Sequence, residues 1–593
     1  MQLTEFIYTF VSALFASLIM VPFLCRWALD RDLVDEPNNR KIHDTATPRL
    51  GGIAIYMSFL FSLMVFSHLT QRMQGLLAGT LIIFAIGIVD DLHGITPFKK
   101  FVGELCAAIT TMVVGHVYIH TLGNLFGYGE IILPVWLAIP FTIVAIVGVV
   151  NAFNLIDGLD GLAGGISVIA LATFSLLAYQ TGNVEVLVLC TALLGSLLGF
   201  LKYNFYPAQM FMGDTGSLMA GFVISIIAIY LTQGNAGQIQ PIVPLLVIGL
   251  PVADTVRVMT LRMVNNHSPF SADLTHIHHK ILDLGFEHRY TVILIYATSL
   301  LSSILTIIFH DSKPAWLLFS GYIMVTILLY WGIRFLSSHK SLLSFIGSDS
   351  NLGIRESSLY RTLAKIVAKM MVMQQILVFA YLGLATMAFT MEVNSQIKPL
   401  LIFLITTSFL LYLTRDSSNQ YVVAIYYVIG QMIAYFVTIH GQENLVLGVP
   451  LKQIGDFLLV GMMSFTLLYF LFRQGMEFYL SSIDYLLAGV SLLLMMTAPH
   501  LQGNTILTGV LMRGIIFYVA IKVVAAQGKR ATRSLLFTTI CAMLFMGVIY
   551  EAKMILPFCH IPHNFTNKPR LTRFSCINPE TEVKPPMNAD ERR

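Results

Sequence analysis

The chain has 593 residues, of which 56% are hydrophobic and only 11% are Asp, Glu, Lys or Arg, with a formal net charge of +4. A soluble domain carries roughly 25% charged residues, so a water-facing globular surface is excluded. The six cysteines do not suggest a disulfide scaffold: Cys25, Cys106, Cys190 and Cys541 lie in or beside apolar runs, where cysteine behaves as a small hydrophobe, while Cys559 and Cys576 in the polar tail could pair in an oxidising compartment.

The solvent that suits this composition is lipid, whose hydrocarbon core is spanned by a helix of about 20 apolar residues. Eleven such runs lie at 6–29, 51–68, 74–89, 102–120, 131–153, 161–179, 184–201, 211–231, 240–261, 289–309 and 315–335. Seven more lie at 373–391, 399–414, 420–438, 455–472, 484–498, 504–525 and 534–555. They exceed barrel-strand length and lack polar–apolar alternation, so the expected fold class is all-α, a polytopic integral membrane helical bundle. The first run follows an acidic start, Met1 to Glu5, and is too long for a cleavable signal peptide. Basic residues gather after the odd runs, among them Arg31, Arg40, Lys41, Arg49, Lys99, Lys100, Lys202, Lys280 and Arg289, with Arg72 and Lys313 the exceptions on the other side. By the positive-inside rule the odd connections are cytoplasmic and the N-terminus is outside.

The polar segments, taken in chain order, all fall on that side. Asp35 to Gly52 holds Arg40, Lys41, His43 and Arg49, equally a phosphate clamp or a plain basic juxtamembrane loop. Asp90 and Asp91 close the third run. Adjacent carboxylates at a helix C-terminus repel each other and oppose the macrodipole, which suits a hard-cation site or a base better than simple hydration. Asn154, Asp157 and Asp160 recur every third residue among glycines, which brings them towards one side, and capping accounts for only one of them. Lys202 to Ser217 supplies Asn204 and Asp214; Asp214 is a helix cap or a Mg²⁺ ligand, since Mg²⁺ needs few protein carboxylates beside water and phosphate oxygens. Ser268 to His279 carries His276, His278 and His279, with Arg262 and Lys280 nearby. Zinc binding, hydrogen bonding to a phosphate or sugar, and a solvated loop all remain open there. No Walker loop or dinucleotide fingerprint occurs, so nucleotide hydrolysis and hydride transfer have no support.

In this order the motifs resemble one family closely. Asp-x-Pro-Asn-x-Arg-Lys-x-His with Pro-Arg-Leu-Gly-Gly, then Val-Asp-Asp, Asn-x-x-Asp-Gly-x-Asp-Gly, Phe-Met-Gly-Asp-x-Gly and His-Ile-His-His are similar to the motifs of the polyprenyl-phosphate N-acetylhexosamine-1-phosphate transferases, and within them to the WecA type. The resemblance covers residues 1–337 and implies an eleven-span transferase core in a bacterial cytoplasmic membrane. It implies transfer of GlcNAc-1-phosphate from a UDP-N-acetylamino sugar to undecaprenyl phosphate, with UMP released, on the cytoplasmic face. It further implies Mg²⁺, with Mn²⁺ as an alternative; Asp214 as main metal ligand, supported by Asp91; and Asp90 as base or positioner of the lipid phosphate. Asn154, Asp157, Asp160 and Asn204 are expected at the nucleotide or sugar, Arg262, His276, His278 and His279 at the diphosphate or sugar. Membrane lipids are expected partners, and a homodimer is an open expectation. The rival class is a secondary transporter, which expects lone ionisable groups near the midplane and internal repeats, whereas the acids here sit at membrane ends.

Beyond the resemblance, residues 338–372 read as a cytoplasmic linker, 373–555 as an additional transmembrane region and 556–593 as a polar tail. Arg513 stands inside an apolar run and is a functional candidate by its cost alone.

Overall fold

The computed structural model describes residues 3–31, 33–35, 47–233, 239–268, 275–338, 372–383, 449–471 and 505–525, together with 434, 438, 445–446 and 490. The core elements are α1 (Leu3–Leu29), β1 (Val34–Asp35), β2 (Thr47–Pro48), α2 (Gly51–Phe66), α3 (Gln71–His93), α4 (Pro97–Gly115), α5 (Val135–Ile156), α6 (Leu162–Gln180), α7 (Val184–Asn204) and α8 (Gly213–Thr232). They continue as α9 (Val243–Val247), α10 (Gly249–Val264), α11 (Ile277–Asp283), α12 (His288–Phe309) and α13 (Ala315–Ser338). Among the described residues, eight helices are long and apolar enough to cross a membrane: α1, α3, α5, α6, α7, α8, α12 and α13. The protein is a multi-pass helical membrane protein.

All eleven core runs are helical, but the ninth is broken. Val243–Val247 ends at Ile248, and Gly249–Val264 restarts with Pro251 in its first turn, where a residue without an amide hydrogen disrupts a continuous ladder least. Helix starts follow local capping chemistry. Thr70 accepts from the Met73 amide and Asn183 from the Val186 amide, while Thr96 precedes Pro97 at the head of α4, each meeting an orphan donor of the first turn.

At the centre stand α6 and α8, with 89% and 94% of their most apolar stretches buried, against 0% for α13. Around them, α1 packs on α2 and α7, α3 on α4 and α8, and α5 on α8. Without a hydrophobic drive between helices in lipid, small residues permit the tightest approaches. A Cβ on Gly87 would lie 2.4 Å from Thr215 Cα, and one on Gly52 2.3 Å from the Gly216 amide nitrogen. These glycines set α2 and α3 directly against the start of α8.

The β1–β2 ladder is antiparallel, pairing Val34 with Pro48 and Asp35 with Thr47. The segment after it is laced to the head of α8: the Phe211 amide donates to Pro48 O (2.8 Å), and the Gly51 and Gly52 amides donate to Phe211 O and Met212 O (3.1 and 2.9 Å).

Three of the seven runs beyond the core have described helices: α14 (Val372–Gly383), α15 (Leu451–Leu471) and α16 (Thr505–Ala525). A second short ladder, β3 (Leu445–Val446) with β4 (Val449–Pro450), precedes α15. Apart from single positions, the other four runs, most of the linker and the whole tail lie outside the described residues. Arg513 has partners within the protein. Its Nε and Nη2 donate to Asp456 Oδ1 and Oδ2 at 2.7 and 2.9 Å, and its Nη1 to Thr438 Oγ1 at 3.1 Å. A two-pronged guanidinium–carboxylate pair thus ties α16 to α15.

Candidate active site

The site forms where the end of α3 meets the starts of α4 and α8 and the end of α5. Gly94 leaves α3 at φ 66°, in the left-handed region that glycine tolerates, and α4 begins three residues later at Pro97. This turn faces the first turn of α4 back towards the last turn of α3. Lys100 Nζ therefore lies 3.1 Å from Asp90 Oδ2 and 3.0 Å from Asp214 Oδ1, and donates to Asn154 Oδ1 at 3.2 Å. Asn154 Nδ2 in turn donates to Asp214 Oδ1, and to Ser217 Oγ at 2.9 Å. Three oxygens from α3, α5 and α8 thus enclose one ammonium. Asp90 is held from its other side, its Oδ1 accepting from the Ile95 amide at 2.9 Å.

Asp91 takes a different place from the expected metal ligand. Its Oδ1 accepts from the Asp214 amide (2.7 Å), and its Oδ2 from the Thr215 amide (3.0 Å) and hydroxyl (2.5 Å). It is the N-terminal cap of α8, supplied by another helix, and both its oxygens are already engaged. That leaves Asp214, in the first turn of α8, free to face Lys100 and Asn154.

The loop between α5 and α6 holds the other two expected acids. Burial, reinforced by the charges of Asp214, Asp160 and Asp91, pushes the Asp157 carboxyl up to about 8. Asp160 Oδ2 accepts from the Ala208 amide at 2.9 Å, and its own amide donates to His288 Nε2 at 3.0 Å. Asn204 is 3% exposed, accepting from the Gly161 amide (3.0 Å) and donating to Met210 O (2.9 Å). Both residues pin the α7–α8 connection onto this loop.

The histidine segment packs against the same loop. A Cβ on Gly158 would fall 2.4 Å from His278 Nε2, so only glycine admits the ring there. Burial, and then the neighbouring His279, His276 and His288, hold the His278 imidazole down to about 3. The rings of His276 and His278 stack at 5.8 Å, and His278 and His279 meet at 4.3 Å. His276 Nδ1 pairs with Asp254 Oδ2 at 2.8 Å, and Asp254 Oδ1 also accepts from the Ile277 amide (3.1 Å) and Tyr330 hydroxyl (2.9 Å). The three rings therefore do not converge as a zinc site. Arg262 is buried in the last turn of α10. Arg49 lies beside Asp214, its carbonyl 2.4 Å from where a Gly213 Cβ would sit. Arg40, Lys41 and His43 lie outside the described residues.

Sequence reasoning missed four members: Lys100, Glu104, Asn151 and Asp254. Lys100 and Glu104 had a usable signal, since ionisable residues at the head of an apolar run are costly without a role. Asp254, inside the ninth run, carried the same signal, whereas Asn151 had none beyond polarity.

No group of three His, Cys, Asp or Glu converges as a ready-made metal site among the described residues. What converges is two carboxylates and an amide oxygen around an ammonium. That donor set fits Mg²⁺, which takes one or two carboxylates and completes its shell with water and phosphate oxygens.

A helical membrane bundle that collects acids, amides and a buried ammonium at one end has the makings of an enzyme for anionic substrates. The glycosyl transferase family 4 profile matches residues 73–232, which span α3 to α8. The "Probable undecaprenyl-phosphate N-acetylglucosaminyl 1-phosphate transferase" of Bacillus subtilis is 36% identical over 330 residues, 55% of this chain and 90% of that protein. The undecaprenyl-phosphate alpha-N-acetylglucosaminyl 1-phosphate transferases of Yersinia pestis and Escherichia coli are each 31% identical, covering 91% and 84% of their lengths. The chain belongs to glycosyl transferase family 4, in its polyprenyl-phosphate N-acetylhexosamine-1-phosphate transferase branch.

Proposed function

We propose that the protein transfers GlcNAc-1-phosphate from UDP-GlcNAc to undecaprenyl phosphate, releasing UMP, at the cytoplasmic face of a bacterial inner membrane. The observation that carries this reading is the cage of Asp90, Asn154 and Asp214 around Lys100, together with the names of the relatives. Two polyanions must approach each other, and their repulsion is the barrier that positive charge lowers. Asp214, with Asp90 or Asn154 beside it, would hold a Mg²⁺, which would supply Lewis-acid polarisation of the attacked phosphorus. Lys100 supplies the positive charge of the cage while no cation is bound. Asp90, at the membrane end of α3, positions the lipid phosphate or accepts its proton, while the polyprenyl chain stays among the helices. Asp157, the histidine segment and Arg49 surround the sugar and diphosphate.

The test is transfer of radiolabel from UDP-GlcNAc into undecaprenyl phosphate by the purified full chain. Labelled lipid from the wild type, lost with EDTA and reduced at least 100-fold in Asp90→Asn and Asp214→Asn, is the expected outcome. Absence of both labelled lipid and UMP across several UDP-N-acetyl sugars would overturn the reading.

A further inference from the structure

Glu104 lies one turn beyond Lys100 on α4 and is 1% exposed. Its Oε2 accepts from Asn151 Nδ2 at 2.6 Å, and Asn151 stands one turn before Asn154 on α5. Its other oxygen, Oε1, is buried without a hydrogen-bond partner among the described residues. A buried acceptor left open loses its water and gains nothing in return. Residues four apart on a helix share a face and reach each other, so the Lys100 ammonium has two stations available: the cage and Glu104 Oε1.

The three oxygens that hold Lys100 are also the oxygens a divalent cation needs. Two positive centres cannot share that space, because their repulsion at contact distance in a poorly screened interior is large. An ammonium expelled from the cage into apolar surroundings would be costly without a counter-ion, and an open acceptor on its own helix face is Glu104 Oε1. We propose that Glu104 is a positioning residue: when a divalent cation enters the cage of Asp90, Asn154 and Asp214, Lys100 swings out and pairs with Oε1 of Glu104. This rests on the metal reading above. It makes the resting ammonium a reversible plug in the cation site.

The experiment measures Mn²⁺ binding by electron paramagnetic resonance on the full chain in lipid nanodiscs, without substrates. Wild type binds Mn²⁺ and Asp214→Asn does not. Lys100→Met, with no plug to displace, binds at least tenfold tighter. Glu104→Gln, which keeps the oxygen facing Asn151 but removes the counter-ion, binds at least tenfold more weakly. The deciding figure is the effect of Glu104→Gln within Lys100→Met, which shrinks to less than threefold because the swing no longer occurs. Equal losses in both backgrounds would overturn the exchange and leave Glu104 a fixed distant charge. If Glu104→Gln fails to fold, Glu104→Asp serves in its place, with a smaller weakening that again vanishes in Lys100→Met. Wild type that binds no Mn²⁺ would instead overturn the metal reading itself, and the exchange with it.

Discussion

At the scale of single residues, the site is a set of polar groups that either face the cage or hold it in shape. His278 belongs to the second kind. Its ring is 1% exposed and kept neutral, protonating only near pH 3, whereas an unfolded histidine protonates near 6.5. Between those values the unfolded chain binds the extra proton, so stability is full above about pH 6.5 and falls as pH drops towards 3. At pH 5 the loss is about 2 kcal/mol, from about 1.5 pH units at 1.36 kcal/mol each. Melting curves of the detergent-solubilised protein between pH 7.5 and 5 should show this slope, and His278→Gln should flatten it.

The acids of the site were legible as types before they were legible as roles. Asp90, Asn154 and Asp214 stand out by spacing and by sitting at run ends, and the structure brings those three together. Asp91, Asp160 and Asn204 stand out equally, yet their oxygens serve backbone amides of other segments. No local spacing distinguishes a carboxylate that caps a distant helix from one that faces a ligand. That difference is made by residues more than 40 positions away.

At the scale of elements, α8 is the reference against which the others are set. Its head is gripped by Asp91 from α3 and by the 47–52 segment, and its crossings with α2 and α3 depend on Gly52 and Gly87. Gly87→Val should push α3 off α8, because the added carbons would meet the Thr215 backbone, which cannot rotate away. The expected loss is about 2–3 kcal/mol together with at least a tenfold fall in transfer. Thermal melting alongside the radiolabel assay checks both. The run pattern foretold each core helix because span length is set by the bilayer. It did not foretell the break at Ile248 or the short helix Ile277–Asp283, since a polar turn beside apolar runs has no period of its own.

At the scale of the whole molecule, the transferase helices α1 to α13 are followed by the described helices α14 to α16. The relatives match a little over half of the chain, and the family profile matches residues 73–232, well before α14. The Arg513–Asp456 pair fastens two of them, with Arg513 12% and Asp456 45% exposed at their side chains. Arg513→Gln leaves the Asp456 carboxylate without its partner. About 2 kcal/mol of local stability should go, tempered by the half-open Asp456. Proteolysis between α15 and α16 should speed up, while transfer by the core stays within twofold. A parallel loss of transfer would mean that the two regions work as one.

The cap that Asp91 lends to α8 has one more consequence. Because a helix start is completed by a side chain from another helix, the Asp90-Asp91 pair acts as a vernier: one tooth fixes the sliding position of α3 against α8, and its neighbour reads that position into the cage. A displacement along the membrane normal of one helical rise, about 1.5 Å, would take both teeth out of mesh together. A bilayer thin or thick enough to tilt these helices thereby acquires a say in the chemistry without touching a substrate.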